Sequence, residues 1–258
     1  MFEQAWFFAF WGIFAMLALL ERLFPQRPAQ ADRGRRWPTN FGLGILNSVI
    51  ASLGPALTVW STQWAANYEV GVLNWISVPW WPAFFVSVII QSLANYGLHL
   101  YAHVNPALWR LHRIHHSDVH LDVTSTLRHH PLEVIAMTLL LTPIYVIGGL
   151  SPFAIVFYET ADQVFGMVTH ADLRIPDQIE RMLRPLFVTP SIHRIHHSAI
   201  QAETNSNYGG VFSFWDRLFG TFCGASLHGK TPVALGLEDV DQELAGDFIG
   251  QLKLPWHR

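Results

Sequence analysis

One histidine-rich hexapeptide occurs twice in this chain, and its residue types suit metal binding. The sequence His-Arg-Ile-His-His-Ser fills residues 112–117 and again residues 193–198. A further histidine pair lies just upstream of the first copy. Residues i, i+3 and i+4 of a helix lie on one face, so we expect each copy to direct three imidazoles at one point. The candidate ligands are His99, His103, His112, His115, His116, His193, His196 and His197.

The eight motif histidines are more ligands than a single ion binds. They predict two ions, each with about four or five nitrogen ligands and an open position. A structural zinc site usually has a closed shell with thiolates, whereas Cys223 is the only cysteine here. A haem would need one histidine on each of two facing helices. Imidazole binds iron, zinc and copper alike, so the ligand type leaves the metal open.

The composition indicates a membrane protein. Hydrophobic residues make up 51% of the 258 residues and charged residues only 14%, whereas soluble domains carry about 25% charged residues. Between Pro38 and Val104 the only Asp, Glu, Lys or Arg is Glu69, and residues 134–158 contain none. The formal net charge of -3 gives no excess of positive charge for binding nucleic acid. We therefore expect an integral membrane protein that binds no nucleic acid.

Five segments are candidates for crossing a bilayer, which takes roughly 20 apolar residues. The first is predicted to be a retained anchor because its start carries Glu3 and no basic residue. A tight link at residues 148–151 makes the last two an antiparallel pair, either two full spans or an incomplete hairpin. The predicted fold is all-α and multi-pass, with about four to five hydrophobic helices and a cytoplasmic helical cap. The segments are residues 5–20, 41–60, 80–103, 131–146 and 152–168.

Arginine placement predicts the orientation of these segments. The loop after the first segment contains five arginines between Arg22 and Arg36, whereas residues 61–79 contain no Lys or Arg. The positive-inside rule makes the arginine loop cytoplasmic, and counting the later segments brings every histidine motif to the same side. We expect one domain, with membrane helices mainly in residues 1–98, the histidine motifs in 99–222 and a cytoplasmic tail in 223–258.

Dipeptides ahead of the two hexapeptide copies predict that both copies lie on short helices. Asn105-Pro106 precedes the first copy and Thr189-Pro190 precedes the second. Asn and Thr favour the N-cap position, and Pro favours the first helical position.

The order and spacing of the motifs resemble the fatty acid hydroxylase and sterol desaturase superfamily of membrane di-iron oxygenases. The histidine series runs from His99 to His197, and Arg-His-His-Pro-Leu-Glu follows at residues 128–133. Asn-Tyr-Gly at 207–209 and Trp-Asp-Arg-Leu-Phe-Gly-Thr-Phe at 215–222 complete the pattern. The resemblance therefore covers nearly half of the chain.

The resemblance implies four helices that carry a cytoplasmic cap, with two iron ions held by nine or ten histidines. It adds His130 and His170 to the ligands. It implies that His120 and His129 lie behind the ligands or on the surface. Asp118, Asp122 and Arg128 would orient ligands through hydrogen bonds, as metal-bound histidines require. Asn207 would line the site. Arg128 and Asn207 are the candidates for a direct part in catalysis beyond the ligands.

The implied reaction is hydroxylation of an aliphatic C–H bond in a membrane lipid, such as a fatty acyl chain or a sterol. O2 would be the co-substrate. No electron-carrying motif is visible, so a ferredoxin or cytochrome with its reductase would supply electrons. Desaturation and sterol methyl oxidation remain alternatives, and zinc could replace iron in purified protein. A non-catalytic metal- or lipid-binding protein and a zinc hydrolase are the alternatives of another class, although no HExxH motif is present.

The orientation is testable with reporter fusions. A reporter inserted after Arg36 and another inserted after His197 should both report a cytoplasmic position, because the arginine loop and the second hexapeptide are predicted to share one side. A reporter after Glu69 serves as the control and should report the opposite side. Opposite signals after Arg36 and His197 would contradict the orientation.

Overall fold

The computed structural model of the chain describes residues 2–27, 33–51, 54–229, 232 and 234–257. These residues form helices, turns and isolated bridges and no β-strand, which confirms the all-α class. The seven longer helices are α1 (Phe2–Leu23), α2 (Arg33–Ala51), α3 (Gly54–Asn67), α4 (Trp80–Val104), α5 (Pro106–His116), α6 (Pro131–Gly148) and α7 (Pro152–His170). Short helices follow as α8 (Asp177–Leu183), α9 (Pro190–His196), α10 (Gln201–Thr204), α11 (Phe214–Phe219), α12 (Gln242–Ala245) and α13 (Phe248–Lys253). The 3₁₀ turns are Val72–Asn74, Val123–Leu127 and Leu254–Trp256.

Two of the described helices, α4 and α6, are long and apolar enough to cross a membrane. Both coincide with segments predicted from the sequence. The tight link after α6 is built on Gly149, which adopts φ 66°. A Cβ there would lie 3.0 Å from the backbone nitrogen of Asn74, so a larger residue would be both strained and crowded.

The second predicted span, residues 41–60, covers parts of α2 and α3. Helix α2 ends at Ala51 and α3 begins at Gly54, and residues 52–53 lie outside the described part of the chain, so this span stays a prediction. Pro55 falls in the first turn of α3, where its missing backbone donor is tolerated.

The long helices pack into a bundle, and α5 contacts this bundle through α4 and α6. Helix α4 contacts α5, α6 and α7, and α3 contacts α6 and α7. The C-terminal segment returns to this bundle, where Leu254 packs with Leu43 of α2 and Ile114 of α5 in one apolar cluster. Residues 234–257 therefore support the first hexapeptide from the side that faces away from α4.

The predicted cap of α5 is confirmed and that of α9 only in part. The Asn105 side chain accepts hydrogen bonds from the backbone nitrogens of Ala107 at 3.0 Å and Leu108 at 3.1 Å. Thr189 precedes α9 in an extended conformation but makes no side-chain cap. At that helix the backbone N–H of Ser191 instead donates to the Glu180 carboxylate, at 3.4 Å.

A buried ionic network fastens α2 to the segment that follows the first hexapeptide. The Arg36 guanidinium donates to both oxygens of Asp118, at 2.5 and 2.9 Å, and to Asp122 at 3.0 Å. Burial raises the pKa of Asp118, but Arg36 and the nearby charge of Arg128 outweigh burial and hold that pKa below its usual range. Asp118 is therefore ionised, and each buried charge depends on its partner.

Neighbouring arginines on α2 test this network. Arg36→Met should destabilise the protein by about 3–5 kcal/mol, because it leaves buried carboxylates without their counter-ion. The Arg36 side chain is 2% exposed, whereas that of Arg35 is 69% exposed and lies 3.9 Å from Glu243. Arg35→Met is therefore the matched control and should change stability by less than about 0.5 kcal/mol. Unfolding in detergent micelles measures both, and equal effects would show that the network does not stabilise α2.

Candidate metal centre

Nine buried or half-buried histidines form two adjacent groups between α4, α5, α7 and α9. Within each group the candidate ligand atoms lie within 4.8 Å of one another. All eight motif histidines and His170 belong to these groups, so the structure brings together every ligand expected from the hexapeptides. The first group is His99, His103, His112, His116 and His196, and the second is His115, His170, His193 and His197.

Each hexapeptide divides its histidines between the two groups, contrary to the expectation that all three point at one ion. His112 and His116 join the first group and His115 joins the second. Helix geometry explains the division. At about 100° per residue, positions i and i+4 differ by about 40°, whereas i+3 lies about 60° to the other side. In the second copy, His193 and His197 join the second group and His196 joins the first, so each copy contributes to both groups.

The nitrogens of the first group lie at separations typical of atoms bound to a common ion. Nε2 of His99 lies 3.1 Å from Nε2 of His112 and 3.1 Å from Nε2 of His196. Nε2 of His112 also lies 3.1 Å from Nε2 of His116. Metal–imidazole bonds of about 2.1 Å that meet near right angles give nitrogen separations of this size.

The second group repeats this pattern. Nε2 of His170 lies 3.1 Å from that of His115 and 3.0 Å from that of His193, and His193 lies 3.2 Å from His197 through the same atoms. A nitrogen with two such neighbours cannot satisfy both with its own proton. A shared cation in each group removes the repulsion between the lone pairs.

Backbone carbonyls fix which nitrogen of three ligands is free for a metal. Nδ1 of His99 donates to the carbonyl of Tyr208 at 2.7 Å, and Nδ1 of His196 donates to the carbonyl of Ser206 at 2.6 Å. Nδ1 of His170 donates to the carbonyl of Gly166 at 2.7 Å. A carbonyl oxygen only accepts, so the proton lies on Nδ1 and the Nε2 lone pair faces the group.

One further nitrogen fits a metal ligand because nothing else satisfies it. Nε2 of His103 is buried without a hydrogen-bond partner, while its Nδ1 lies 3.3 Å from the side-chain oxygen of Asn205. An unpaired buried polar atom is costly, and coordination of an ion would satisfy it. The donor set therefore fits two metal ions.

Burial keeps five of the hexapeptide histidines neutral. It lowers the pKa of His115, His116, His193, His196 and His197 well below the usual value, and the neighbouring imidazoles lower it further. Only a neutral imidazole offers a lone pair to a metal. These five imidazoles are therefore already in the protonation state that a metal ligand needs.

His130 lies outside both groups, contrary to the expectation drawn from the Arg-His-His-Pro string. Its Nδ1 accepts a hydrogen bond from the backbone N–H of Leu132 at 3.1 Å, so His130 caps α6. Its Nε2 donates to the carbonyl of Leu252 at 3.2 Å. Both ring nitrogens are therefore occupied, because the proline that follows starts a helix whose N-terminal donor needs an acceptor.

Glu133 and His129 lie next to the histidine groups, where His129 was one of the two positions expected beside the ligands or on the surface and Glu133 had no expected role. Nδ1 of His112 donates to one carboxylate oxygen of Glu133 at 2.6 Å, and Nδ1 of His129 donates to the other at 3.3 Å. The His129 ring stacks on His115, with centroids 4.4 Å apart. A carboxylate one turn into a helix that follows two histidines was the available signal for this role. His120, also expected outside the ligand shell, belongs to neither group.

Arg128 lies behind the histidine groups and does not line the cavity. Its guanidinium donates to the carbonyl of Ile114 and to Ser117 Oγ, both at 2.9 Å, and to the carbonyl of Ala245 at 2.6 Å. Nδ1 of His115 donates to the backbone carbonyl of Arg128 at 3.2 Å. Arg128 therefore holds the end of α5 in place.

The other expected orienting residues act indirectly. Asp118 and Asp122 bond to Arg36 and not to a histidine ring. Asn207, with φ 55°, bonds through its side chain to the backbone of Cys223 at 2.9 and 2.8 Å. It shapes the loop that presents the carbonyls of Ser206 and Tyr208, and its side chain does not line the site.

A cavity of about 570 Å³ reaches the histidine groups from between α3, α4, α6 and α7. His99, His112, His115, His170 and His193 form its floor. Apolar side chains of α6 line one wall, and polar side chains of α7 line another. Ligand pockets commonly measure about 300–1,000 Å³, so this space accommodates a small molecule or part of a lipid.

The fold and the site define a class of protein in which membrane-compatible helices carry two histidine groups that fit metal ions beside a cavity. The sequence model of the fatty acid hydroxylase family matches residues 84–221, more than half of the chain. The chain therefore belongs to the fatty acid hydroxylase family, as the motifs predicted.

Named relatives support this assignment. An ornithine lipid hydroxylase of Rhizobium tropici is 29% identical over 95% of this chain and 73% of its own length. An alkylglycerol monooxygenase of Danio rerio is 29% identical over 57% of this chain and 31% of its own, so the chain spans about a third of that relative. Methylsterol monooxygenase 1-3 of Arabidopsis thaliana is 24% identical over 56% and 49%. No solved structure matches the chain significantly.

Metal content of purified variants tests the two groups. Protein loaded with iron should hold two ions per chain. His116→Ala and His197→Ala should each lower this content, because each removes a ligand from one group. His130→Ala and His257→Ala are the controls and should retain two ions. Elemental analysis measures this, and full occupancy at one ion per chain would contradict the two-group assignment.

Proposed function

We propose that the chain hydroxylates an aliphatic C–H bond of a membrane lipid, using O2 and two iron ions. The cavity that joins an apolar helix wall to the histidine groups is the observation that carries this proposal. The named relatives support it, since they are a lipid hydroxylase and two kinds of monooxygenase. Their lipids differ, so we propose the lipid class and not one lipid.

The proposed ligands are the nine grouped histidines, without His130. Iron bound there would supply O2 activation with electrons from an external ferredoxin or cytochrome and its reductase. One oxygen atom of O2 enters the C–H bond, and the other leaves as water with two electrons and two protons. The ligands are His99, His103, His112, His116 and His196 for one ion and His115, His170, His193 and His197 for the other.

The surrounding residues orient the ligands. The carbonyls of Ser206, Tyr208 and Gly166 hold three imidazoles with Nε2 directed inward. The Glu133 carboxylate accepts a hydrogen bond from Nδ1 of His112. It would place a negative charge behind the imidazole that binds the ion. Helices α3, α4, α6 and α7 line the cavity, which would hold the reacting carbon close to the ligands.

We propose that the chain is multi-pass and that the metal centre lies on the cytoplasmic side. The two described spans, α4 and α6, support membrane insertion. The five arginines from Arg22 to Arg36, which lie at the end of α1, at the start of α2 and between the two helices, support the orientation. A lipid would then reach the cavity from within the bilayer, and the electron donor would approach from the cytoplasm.

Isotope labelling tests the reaction. Purified enzyme with iron and a lipid mixture should stay inactive until an electron donor and its reductase are added. The product should then gain one oxygen atom that derives from heavy O2 and not from heavy water. Mass spectrometry measures the incorporation, with His116→Ala as the inactive control. Incorporation of solvent oxygen alone would indicate a hydrolase that uses metal-bound water, and loss of two hydrogens without oxygen would indicate a desaturase.

A further inference from the structure

Helix α11 packs against a part of α4 that a bilayer would surround. Trp80 begins α4 and is 75% exposed, which is typical of an aromatic residue at a membrane interface. A hydrocarbon core of about 30 Å takes about 20 helical residues, so a core that starts at Trp80 ends close to His99. Trp215 of α11 donates from Nε1 to Oγ of Ser92 at 3.1 Å. Ser92 follows Trp80 by 12 residues, about 18 Å along the helix, and therefore lies within this core.

Two further contacts hold the end of α11 at a similar depth. The ring of Phe219 stacks on the ring of Tyr96, with centroids 5.4 Å apart. The Tyr96 hydroxyl is hydrogen-bonded to Oγ1 of Thr221 at 2.8 Å. Tyr96 follows Trp80 by 16 residues, or about 24 Å. The whole of α11 therefore lies beside the membrane-spanning part of α4.

The loop before α11 reaches a similar depth along α7. The ring centroids of Phe212 and Tyr158 are 6.5 Å apart. Gly210 approaches α7 so closely that a Cβ on this glycine would clash with Oδ1 of Asp162. Tyr158 precedes His170 by 12 residues, which is about 18 Å of helix. The loop thus extends from the level of the histidine groups towards the middle of α7.

This part of the chain, which we call the wedge, consists of residues 184–188 and 207–222. Its backbone is largely irregular, but its polar groups are paired. The backbone N–H of Ser213 donates to the carbonyl of Leu186 at 3.0 Å. The Asp216 carboxylate accepts two backbone N–H groups of the loop, at 2.7 and 2.9 Å. Irregular backbone is tolerated at membrane depth only where the protein satisfies it, and the wedge meets this requirement.

One side of the wedge is apolar and exposed. Leu186 is 47% exposed, Leu218 67% and Phe219 54%, so the described part of the chain leaves them largely uncovered. On the opposite side, Tyr208 and Gly210 line the cavity. Large apolar side chains exposed together mark an interaction surface. At the depth of the hydrocarbon core, acyl chains are the apolar partner that surrounds α4 itself.

The two arginines of the wedge are compatible with this depth. Arg184 forms an ion pair with Glu180 at 2.8 Å. Arg217 is exposed, but its guanidinium carbon lies 3.6 Å from the ring centroid of Phe222, and the guanidinium donates to the carbonyl of Arg184 at 3.2 Å. Long basic side chains near a membrane surface keep their stem among apolar groups and direct the charge towards the headgroups. Arg217 can therefore adjoin Leu218 in lipid.

We propose that the wedge inserts into the membrane leaflet on the side of the metal centre, where Leu186, Leu218 and Phe219 contact lipid acyl chains. The region after α9 is then not wholly a water-exposed cap. The inference requires α4 to span the membrane, as in the proposed topology, and it does not depend on the reaction. Because Tyr208 and Gly210 lie on the other side, the wedge separates this part of the cavity from the lipid.

Single cysteines measure the depth of the wedge. Cys223→Ser removes the only native cysteine, and Leu186→Cys or Leu218→Cys then carries an environment-sensitive fluorophore in lipid nanodiscs. Nitroxide-labelled lipids should quench both fluorophores, and aqueous iodide should leave both unchanged, because acyl chains surround these positions. The two positions lie on different segments of the wedge, so one misfolded variant does not decide the result. Iron content equal to that of the parent protein shows that each variant is folded.

Two exposed positions on α4 are the matched controls. Leu93 lies about 20 Å from Trp80, inside the core, so a label at Leu93→Cys should be quenched by nitroxide lipids only. Val104 lies about 36 Å from Trp80, beyond the core, so a label at Val104→Cys should be quenched by iodide only. A membrane-impermeant maleimide gives a second readout in open membrane fragments. It should modify Val104→Cys at once and Leu218→Cys only after detergent is added.

The outcomes separate this inference from the proposed topology and reaction. Labels at Leu186 and Leu218 that respond like the label at Val104 would overturn the insertion of the wedge and leave α4 as a span. Protection from both quenchers would also overturn it, because a protein surface, such as a second copy of the chain, would then cover the wedge. Quenching of the Leu93 label by iodide would overturn the insertion together with the span. The isotope experiment on lipid hydroxylation stands apart from all three outcomes.

Discussion

The main constraint on this structure is the repulsion between imidazole lone pairs that the fold holds about 3 Å apart. Within each group, neighbouring Nε2 atoms lie 3.0 to 3.2 Å apart, and burial keeps His116 and His197 neutral. Protonation cannot relieve the crowding, because neighbouring imidazolium ions in a low dielectric would repel more strongly. A cation in each group would stabilise the arrangement. The helix bundle must therefore hold the imidazoles in place.

Rigid supports outside the ligands meet this need. Arg128 bonds to the end of α5 and to the C-terminal segment, and Arg36 clamps the segment after α5 to α2. The loop that contains Tyr208 is fixed by Asp216, which accepts from the backbone nitrogens of Tyr208 at 2.7 Å and Gly209 at 2.9 Å. The conspicuous motifs around the histidines are thus largely structural. They place carbonyls where ring nitrogens need acceptors.

Spacing and resemblance were enough to predict the all-α class and that the eight motif histidines and His170 come together, because helical periodicity and hydrophobic length are local properties. Two features needed the fold. The division of each hexapeptide between two groups depends on how α5 and α9 face each other. The roles of His130 and Glu133 depend on the start of α6, which decides that His130 caps the helix and that Glu133 contacts His112.

The distribution of carboxylates links the metal centre to the cavity. Neither histidine group contains an acid, so the ions would bring positive charge without direct compensation. Among the described residues, Glu133 is the only carboxylate bonded to a ligand, and it already serves His112 and His129. Glu159 and Asp162 of α7 line the same cavity as the two histidine groups. The carboxylates near the centre therefore lie behind His112 and along α7, where their negative charge would offset part of the charge of two metal ions without binding them.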